Sequence, residues 1–166
     1  LSGGQRQRVA IAGAIILNPD FIVADEPVSM LDASIRADIL KLMVKLRDEK
    51  GISYLFITHD LSLAWLISDR IAIMYLGKIV EMGSSELIVG SCLHPYSKAL
   101  ISVLPLPRVR KNKTRTILQG ETPSAANMPR GCRFHPRCPL AQEICKEKEP
   151  VLKEIDKDHF VACHFV

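Results

Sequence analysis

The sequence predicts an α/β domain with an incomplete parallel sheet, followed by a smaller, irregular, cysteine-bearing region. Three observations point there. Helical apolar periodicity alternates with short continuous apolar runs over residues 1–104. Polar clusters stand at the carboxyl ends of those runs. The composition changes near Leu104-Pro105: residues 1–104 hold 10 Lys/Arg against 11 Asp/Glu, and the remainder 12 against 7, with seven of the ten prolines and four of the five cysteines.

Global composition removes several classes. The 166 residues are 48% hydrophobic and 5% aromatic with a net charge of +4, which argues against disorder. The longest apolar run, Val9 to Leu17, has nine residues, well short of the roughly 18 of a membrane span. Arg6 and Arg8 before that run imitate a signal peptide, but only Asn18-Pro19-Asp20 follows, with no small-x-small cleavage site. Leu rather than Met at position 1 suggests a piece of a longer protein.

The elements follow in order. A helix is expected over Gln5–Leu17, with Val9, Ala12, Gly13 and Ile16 on one face and Asn18-Pro19-Asp20 as its stop. Phe21–Ala24 reads as a buried strand. Asp32 can cap a second helix whose Ile35, Ile39, Leu42 and Leu46 share a stripe, and Gly51 ends it. Tyr54–Ile57 is a second buried strand, and a short helix near Leu61–Ser68 leads to a hairpin of Ile71–Tyr75, Leu76-Gly77 and Lys78–Met82. The order α-β-α-β-α-β-β is that of a layered α/β domain. A sheet lacking strands beside Phe21–Ala24 would expose apolar edges and favour aggregation.

In open α/β sheets ligands bind outside the carboxyl ends of the strands. Asp25-Glu26 and Thr58-His59-Asp60 lie at those ends, so one crevice is expected. An Asp there suits hydrated Mg²⁺ and an adjacent Glu can polarise water, although an acidic pair after a strand is also an ordinary loop feature. Leu1-Ser2-Gly3-Gly4-Gln5 opens a helix N-terminus with a hydroxyl and two glycines, a phosphate-compatible anion site that could equally be a plain cap.

Taken together, these segments resemble ATP-binding cassette (ABC) ATPases. LSGGQ with RQRVAIA resembles the family's signature motif, FIVADEP its Walker B segment, SMLD at 29–32 its D-loop, and His59 in ITHD its switch histidine. The resemblance covers residues 1–83, with Gly13 and Met30 departing from the usual Arg and Ala. It implies the C-terminal part of a P-loop ABC-type nucleotide-binding domain. It also implies Asp25 in water-mediated Mg²⁺ contact, Glu26 activating the attacking water and His59 contacting the γ-phosphate. Ser2, Gly3, Gly4 and Gln5 would bind nucleotide in trans, and Asp32 would reach across the dimer interface. No G-x-x-x-x-G-K-[ST] loop is present, because Gly77-Lys78 has Ala at 72 and Ile at 79. Negligible ATP hydrolysis is therefore expected of these 166 residues alone.

The second region begins with HPYSKAL at 94–100, a helix expected to start at the proline. Five basic residues between Arg108 and Arg115 read as a solvated linker near an acidic lipid surface rather than a nucleic-acid track, since no aromatics interleave with them. Cys132, Cys138, Cys145 and Cys163 follow in the spacing C-x5-C-x6-C-x17-C. Four thiolates suit an iron–sulfur cluster or zinc, the latter also with His135, His159 or His164; disulfides are the structural alternative. Cys92 lies outside the set. HPYSKAL, GE-x-PS, GCRFHPRCP and VACH are similar to the C-terminal extension of oligopeptide and dipeptide importer ATPases, shared by related nickel importers, over residues 94–164. That resemblance implies a [4Fe–4S] cluster on the four cysteines, with Zn²⁺ as the alternative.

The expected division is thus 1–93 for the ATPase part and 94–166 for the extension. The expected function is the ATP-hydrolysing subunit of a peptide importer at the cytoplasmic face of the membrane. Its expected cofactors are ATP and Mg²⁺. Expected partners are a second ATPase subunit, membrane permease subunits and, indirectly, an extracytoplasmic peptide-binding protein, with no nucleic acid. A nickel importer is the near alternative. A DNA-acting cassette ATPase would want coiled-coil heptads that are absent, and a vestigial metal- or redox-sensing module sits poorly with intact Asp25, Glu26 and His59.

Overall fold

The computed structural model describes residues 1–104, 118–124 and 126–166. The basic run Arg108–Arg115 lies outside the described residues. The elements are α1 (Gly3–Ile15), β1 (Phe21–Asp25), α2 (Ala33–Lys50), β2 (Ser53–Ile57), α3 (Leu61–Ile67), β3 (Arg70–Tyr75), β4 (Lys78–Ser84), α4 (Ser85–Ser91), α5 (Pro95–Ser102), a 3₁₀ turn (His135–Arg137), α6 (Glu143–Glu147), β5 (Lys153–Asp156) and β6 (His159–Val161). The first seven keep the expected order. The chain packs as two compact units, Leu1–Ile67 and Ser68–Val166. Packing therefore divides the chain at a different place from composition, because the β3–β4 hairpin groups with the cysteine-bearing residues.

In the first unit β1 and β2 pair in parallel, with Phe21 opposite Ser53 and Asp25 opposite Ile57. Ala24, Val28, Ile39, Leu40 and Met43 form the core, with Ile11, Leu31, Ile35, Tyr54, Phe56, Leu63 and Ile67 packed against it. Helix α2 behaves as its pattern requires. Asp32 Oδ1 accepts from the Ile35 amide at 3.0 Å, and Gly51 closes the helix at φ 69° with its amide on the Arg47 carbonyl.

Two expectations fail here. The strands are not buried on both faces: Phe21 and Val23 are 57% and 56% exposed, and Leu55 and Ile57 are open beside them. A two-stranded sheet covered by helices on one side leaves alternate residues uncovered. The expected face of α1 is also wrong, since Val9, Ala12, Gly13 and Ile16 are exposed. The packed stripe is Gly4, Gln7, Ile11 and Ile15, chosen because Gly4 lets the backbone approach α2.

The second unit is a sheet in the order β3-β4-β6-β5, all neighbours antiparallel. Leu76 and Gly77 turn the β3–β4 hairpin at φ 46° and 77°, a two-residue connection with both residues left-handed. Glu81 on β4 is fully buried. Its carboxylate accepts from the Leu93 amide at 2.7 Å, from the His94 amide at 3.1 Å and pairs with His159 Nε2 at 2.8 Å. One side chain thus ties the hairpin to the start of α5 and to β6. Removing one partner of such a buried pair costs about 3–5 kcal/mol.

His94 is the N-cap of α5: its Nδ1 accepts from the Tyr96 amide at 3.1 Å, and Pro95 takes the first helical position. Phe134, almost wholly buried, packs edge-on to Tyr75 with ring centroids 5.2 Å apart and tilted to Tyr96 at 5.3 Å. The Arg133 guanidinium donates to the Leu76 carbonyl, pinning the cysteine-bearing segment to the hairpin turn.

Burial lowers the His94 pKa to about 4; nearby Glu81 opposes the shift and Lys98 adds to it. The folded value lies below the ordinary 6.5, so the unfolded chain binds more protons between them. This stabilisation is complete above pH 6.5 and is lost as pH falls toward 4. Chemical denaturation at pH 7 and pH 4.5 should show a loss on the order of 2 kcal/mol from this group. In His94→Asn, which keeps a cap but does not titrate, the loss should shrink by that amount.

Candidate functional site

The parallel register of β1 on β2 builds the site. The ladder runs one step past the strands, with the Glu26 amide donating to the Ile57 carbonyl at 2.9 Å. Asp25-Glu26 and Thr58-His59-Asp60 therefore leave the sheet side by side at its carboxyl end. Glu26 adopts a left-handed conformation at φ 45°, a strained placement for a residue with a Cβ. Its carbonyl accepts from the Ser29 hydroxyl at 3.1 Å and from the Ser29 amide at 3.3 Å, which holds the turn.

Glu26 Oε1 meets His59 Nδ1 at 2.7 Å. This hydrogen bond is the main cause of a lowered Glu26 pKa and a raised His59 pKa. Nearby Asp60 raises the His59 value further and Arg36 lowers it. The pair favours an ionised carboxylate beside an imidazolium, and both side chains face solvent.

Asp25 is exposed at the strand end. A single carboxylate is enough there, because Mg²⁺ is commonly held by one or two carboxylates, waters and substrate phosphates rather than by an all-protein cage. The fit is one of donor chemistry and position. Asp32 caps α2 and also accepts from the Ser34 hydroxyl at 2.8 Å; the Ile35 amide, then Ser34, lowers its pKa.

Ser2, Gly3, Gly4 and Gln5 form the start of α1. Ser2 Oγ accepts from the Gln5 amide at 3.3 Å and Gln5 Oε1 from the Ser2 amide at 2.8 Å, a reciprocal capping box. The Gly3 and Gly4 amides take no part in it. The glycines also serve packing, a role the sequence did not reveal. A Cβ on Gly4 would lie 2.5 Å from Ile35 Cγ2, and one on Gly3 3.2 Å from Leu31 Cδ2. No hydrogen bond or ion pair joins this segment to Glu26 or His59 among the described residues.

The expected cluster or zinc on the four cysteines is not supported. Cys132, Cys138, Cys145 and Cys163 stand as thiols, and burial is the main cause of raised pKa values at Cys132 and Cys138. Cys138, Cys145 and Cys163 lie near enough to Cys132 to raise its pKa further. Among the described residues no group of three or more His, Cys, Asp or Glu is placed to hold a metal ion. The alternative ligands are engaged: His159 with Glu81, His135 Nδ1 with the Cys132 carbonyl at 2.9 Å, and His164 with the Lys148 carbonyl at 2.9 Å. Backbone contacts hold the segment. The Cys132 amide donates to the Cys145 carbonyl at 2.8 Å, and Gly131 at φ 66° lets the two segments touch.

Comparison with known proteins separates generic from specific features. Residues 1–29 match the ABC transporter family model, and residues 80–145 match the oligopeptide/dipeptide transporter C-terminal region. The oligopeptide transport ATP-binding protein AppF of Bacillus subtilis is 53% identical over 165 residues, 98% of this chain and 50% of that protein. The chain belongs to the oligopeptide/dipeptide family of ABC-transporter ATP-binding proteins.

A second member of this ABC family, the dipeptide transport ATP-binding protein DppF of Haemophilus influenzae, is 48% identical over 99% of this chain and 50% of its own length. The chain spans about half the length of the curated relatives it matches. Among solved structures, cbiO1 of Clostridium perfringens, part of an ABC transporter complex, superposes with TM-score 0.52 at 32% identity, covering 65% of this chain and 41% of that one. An ATP-binding cassette in its ADP conformation gives TM-score 0.50 at 32% identity, covering 55% and 37%. The family's ABC transporter match takes in Ser2–Gln5 and Asp25-Glu26, and its C-terminal match takes in Glu81, His94 and Phe134.

Gly4→Ala opposes two effects. In an exposed helix it would gain about 1 kcal/mol, but here the new methyl must displace a branched side chain, and overpacking costs about 1–3 kcal/mol. The expected result is a net loss of about 1 kcal/mol in denaturant titration. Gly13→Ala, where nothing lies within 4 Å of an added Cβ, should be stabilising.

Proposed function

We propose that this chain supplies the hydrolytic residues and the signature segment of the ATP-binding subunit of an oligopeptide or dipeptide importer, working at the cytoplasmic face of the membrane. The observation that carries the reading is the 2.7 Å Glu26–His59 contact at the carboxyl ends of a parallel strand pair. The names of the relatives, an oligopeptide and a dipeptide transport ATP-binding protein, supply the substrate class. Among the described residues no helix is long and apolar enough to cross a membrane, which accords with membrane-spanning permease partners.

The residues divide the work by position. Asp25 would hold Mg²⁺ through water, and the ion would supply charge neutralisation of the phosphates. Glu26 accepts a hydrogen bond from the attacking water and orients it in line with the γ-phosphorus. His59, whose contact with Glu26 favours its protonated form, donates toward the γ-phosphate oxygens as charge grows there. Ser2, Gly3, Gly4 and Gln5 present the α1 N-terminus to nucleotide on a second ATPase subunit, with the Gly3 and Gly4 amides outside the capping box and the helix dipole favouring negative charge. Asp32, at the start of α2, stands in the D-loop that faces that subunit. ATP is the substrate that drives subunit closure, and its hydrolysis reopens the pair for the permease.

In a protein of the relatives' full length, Glu26→Gln should lower kcat for ATP hydrolysis by about 10²–10⁴-fold while ATP binding persists. Unchanged hydrolysis would refute the assignment. The 166 residues alone, which carry no phosphate-cradling G-x-x-x-x-G-K-[ST] loop, should show no turnover above buffer in the same assay.

A further inference from the structure

We propose that Arg36 is a positioning residue that ties the D-loop segment to the loop bearing His59, so that movement of one is transmitted to the other. The proposal rests on the reading of Glu26 and His59 as the hydrolytic pair and adds a residue outside the recognised motifs.

Arg36 sits on the first turn of α2, immediately after the segment 29–32. Its Nη2 donates to the Leu31 carbonyl at 3.2 Å, and its Nη1 lies 3.9 Å from Asp60 Oδ2. Asp60 follows His59 directly and caps α3, its Oδ1 accepting from the Ser62 amide at 3.0 Å and the Leu63 amide at 3.3 Å. One guanidinium thus spans two loops that approach each other from separate strands. Both partners are about two-thirds covered, so this is not a fully solvated surface pair of negligible strength.

The bridge acts on the right group. The raised pKa of His59 comes chiefly from Glu26, but Asp60 and Arg36 also act on it, in opposite directions. Arg36 Nε is buried without a hydrogen-bond partner. Such a donor carries a desolvation penalty. The geometry of the bridge accounts for it, since a planar fork that reaches both loops at once leaves this third nitrogen unpaired.

The test uses a full-length ATPase carrying this segment, with kcat, KM and Tm measured for Arg36→Met, Arg36→Lys, Asp60→Asn and the Met/Asn double variant. Met keeps the stem and removes the bridge; Asn keeps the α3 cap and removes the charge. Arg36→Met should lower kcat about tenfold, the scale of a small misplacement of reacting groups. KM should stay within about twofold. Tm should hold, Arg36→Lys should recover part of the loss, and the double variant should be no worse than the worse single one.

An unchanged kcat in Arg36→Met would overturn the proposal. So would losses that multiply in the double variant, or a loss that follows Tm and nucleotide binding together. Should Arg36→Met fail to fold, Arg36→Lys and Asp60→Asn decide: normal kcat in both refutes the bridge, and reduced kcat at normal KM and Tm supports it. Glu26→Gln measured alongside separates the two levels. Full hydrolysis in that variant means the site reading is wrong, whereas its loss with Arg36→Met unaffected means only the bridge is wrong.

Discussion

The parallel register of β1 on β2 is the constraint on which the candidate site depends. Parallel strands leave a sheet in the same direction, so the residues after Asp25 and after Ile57 must emerge together. An antiparallel pair would send Glu26 and His59 to opposite ends. A one-residue slip would turn alternate side chains to the other face. The 2.9 Å bond from the Glu26 amide to the Ile57 carbonyl extends the register into the loop. The left-handed turn at Glu26 then swings the carboxylate onto His59. Strain is stored at the residue proposed to orient water and is held there by the ladder on one side and Ser29 on the other.

The second unit depends on a different device. A carboxylate with no exposure is expensive unless its lone pairs are filled. Glu81 receives two backbone amides and an imidazole. Those donors come from residues 93, 94 and 159, so satisfying one side chain fixes the hairpin, α5 and β6 together. Phe134 closes the same region from the 3₁₀ segment. The His-Pro-Tyr sequence thereby acquires a physical reason: His94 as a neutral buried cap, Pro95 at the first helical position, and Tyr96 against Tyr75 and Phe134.

Local signals were legible in the sequence where a residue acts on its own neighbours. Asp32 and Gly51 cap α2 where they stand, and Leu76-Gly77 turns the hairpin as its residues demand. Asp25, Glu26 and His59 were legible as a constellation because strand ends converge. What could not be read was long-range. Glu81 looks like one polar residue in an apolar strand, and its partners lie 12 to 78 residues away. The α1 face was misread because apolar periodicity assumes that burial follows hydrophobicity. There the close approach is made by a glycine, and Val9 and Ile16 stay outside. The cysteines were legible only as a set: spacing shows that four thiols can meet, and Cys132 and Cys138 do feel the others, but spacing does not say whether three or more are placed to hold a metal ion.

The glycines of the first motif connect these threads. Had Gly3 and Gly4 been needed only to admit phosphate, the space above them would be open. Instead Gly3 faces Leu31 and Gly4 faces Ile35, on either side of the Asp32 cap. The start of α1 and the start of α2 are therefore packed as one body, with a contact too close for a methyl group to intervene without displacing Ile35. A rigid contact of this kind passes displacement on rather than absorbing it. Nucleotide pulling on the α1 N-terminus would move residues 31–35 with it. The side chain one residue further along, Arg36, reaches the Leu31 carbonyl behind it and Asp60 ahead. The helix N-terminus proposed to meet one nucleotide and the histidine proposed to serve another are in this way joined by two short physical links within residues 1–67. The first link is a close packing contact at two glycines, and the second a hydrogen bond and a charge pair from one guanidinium.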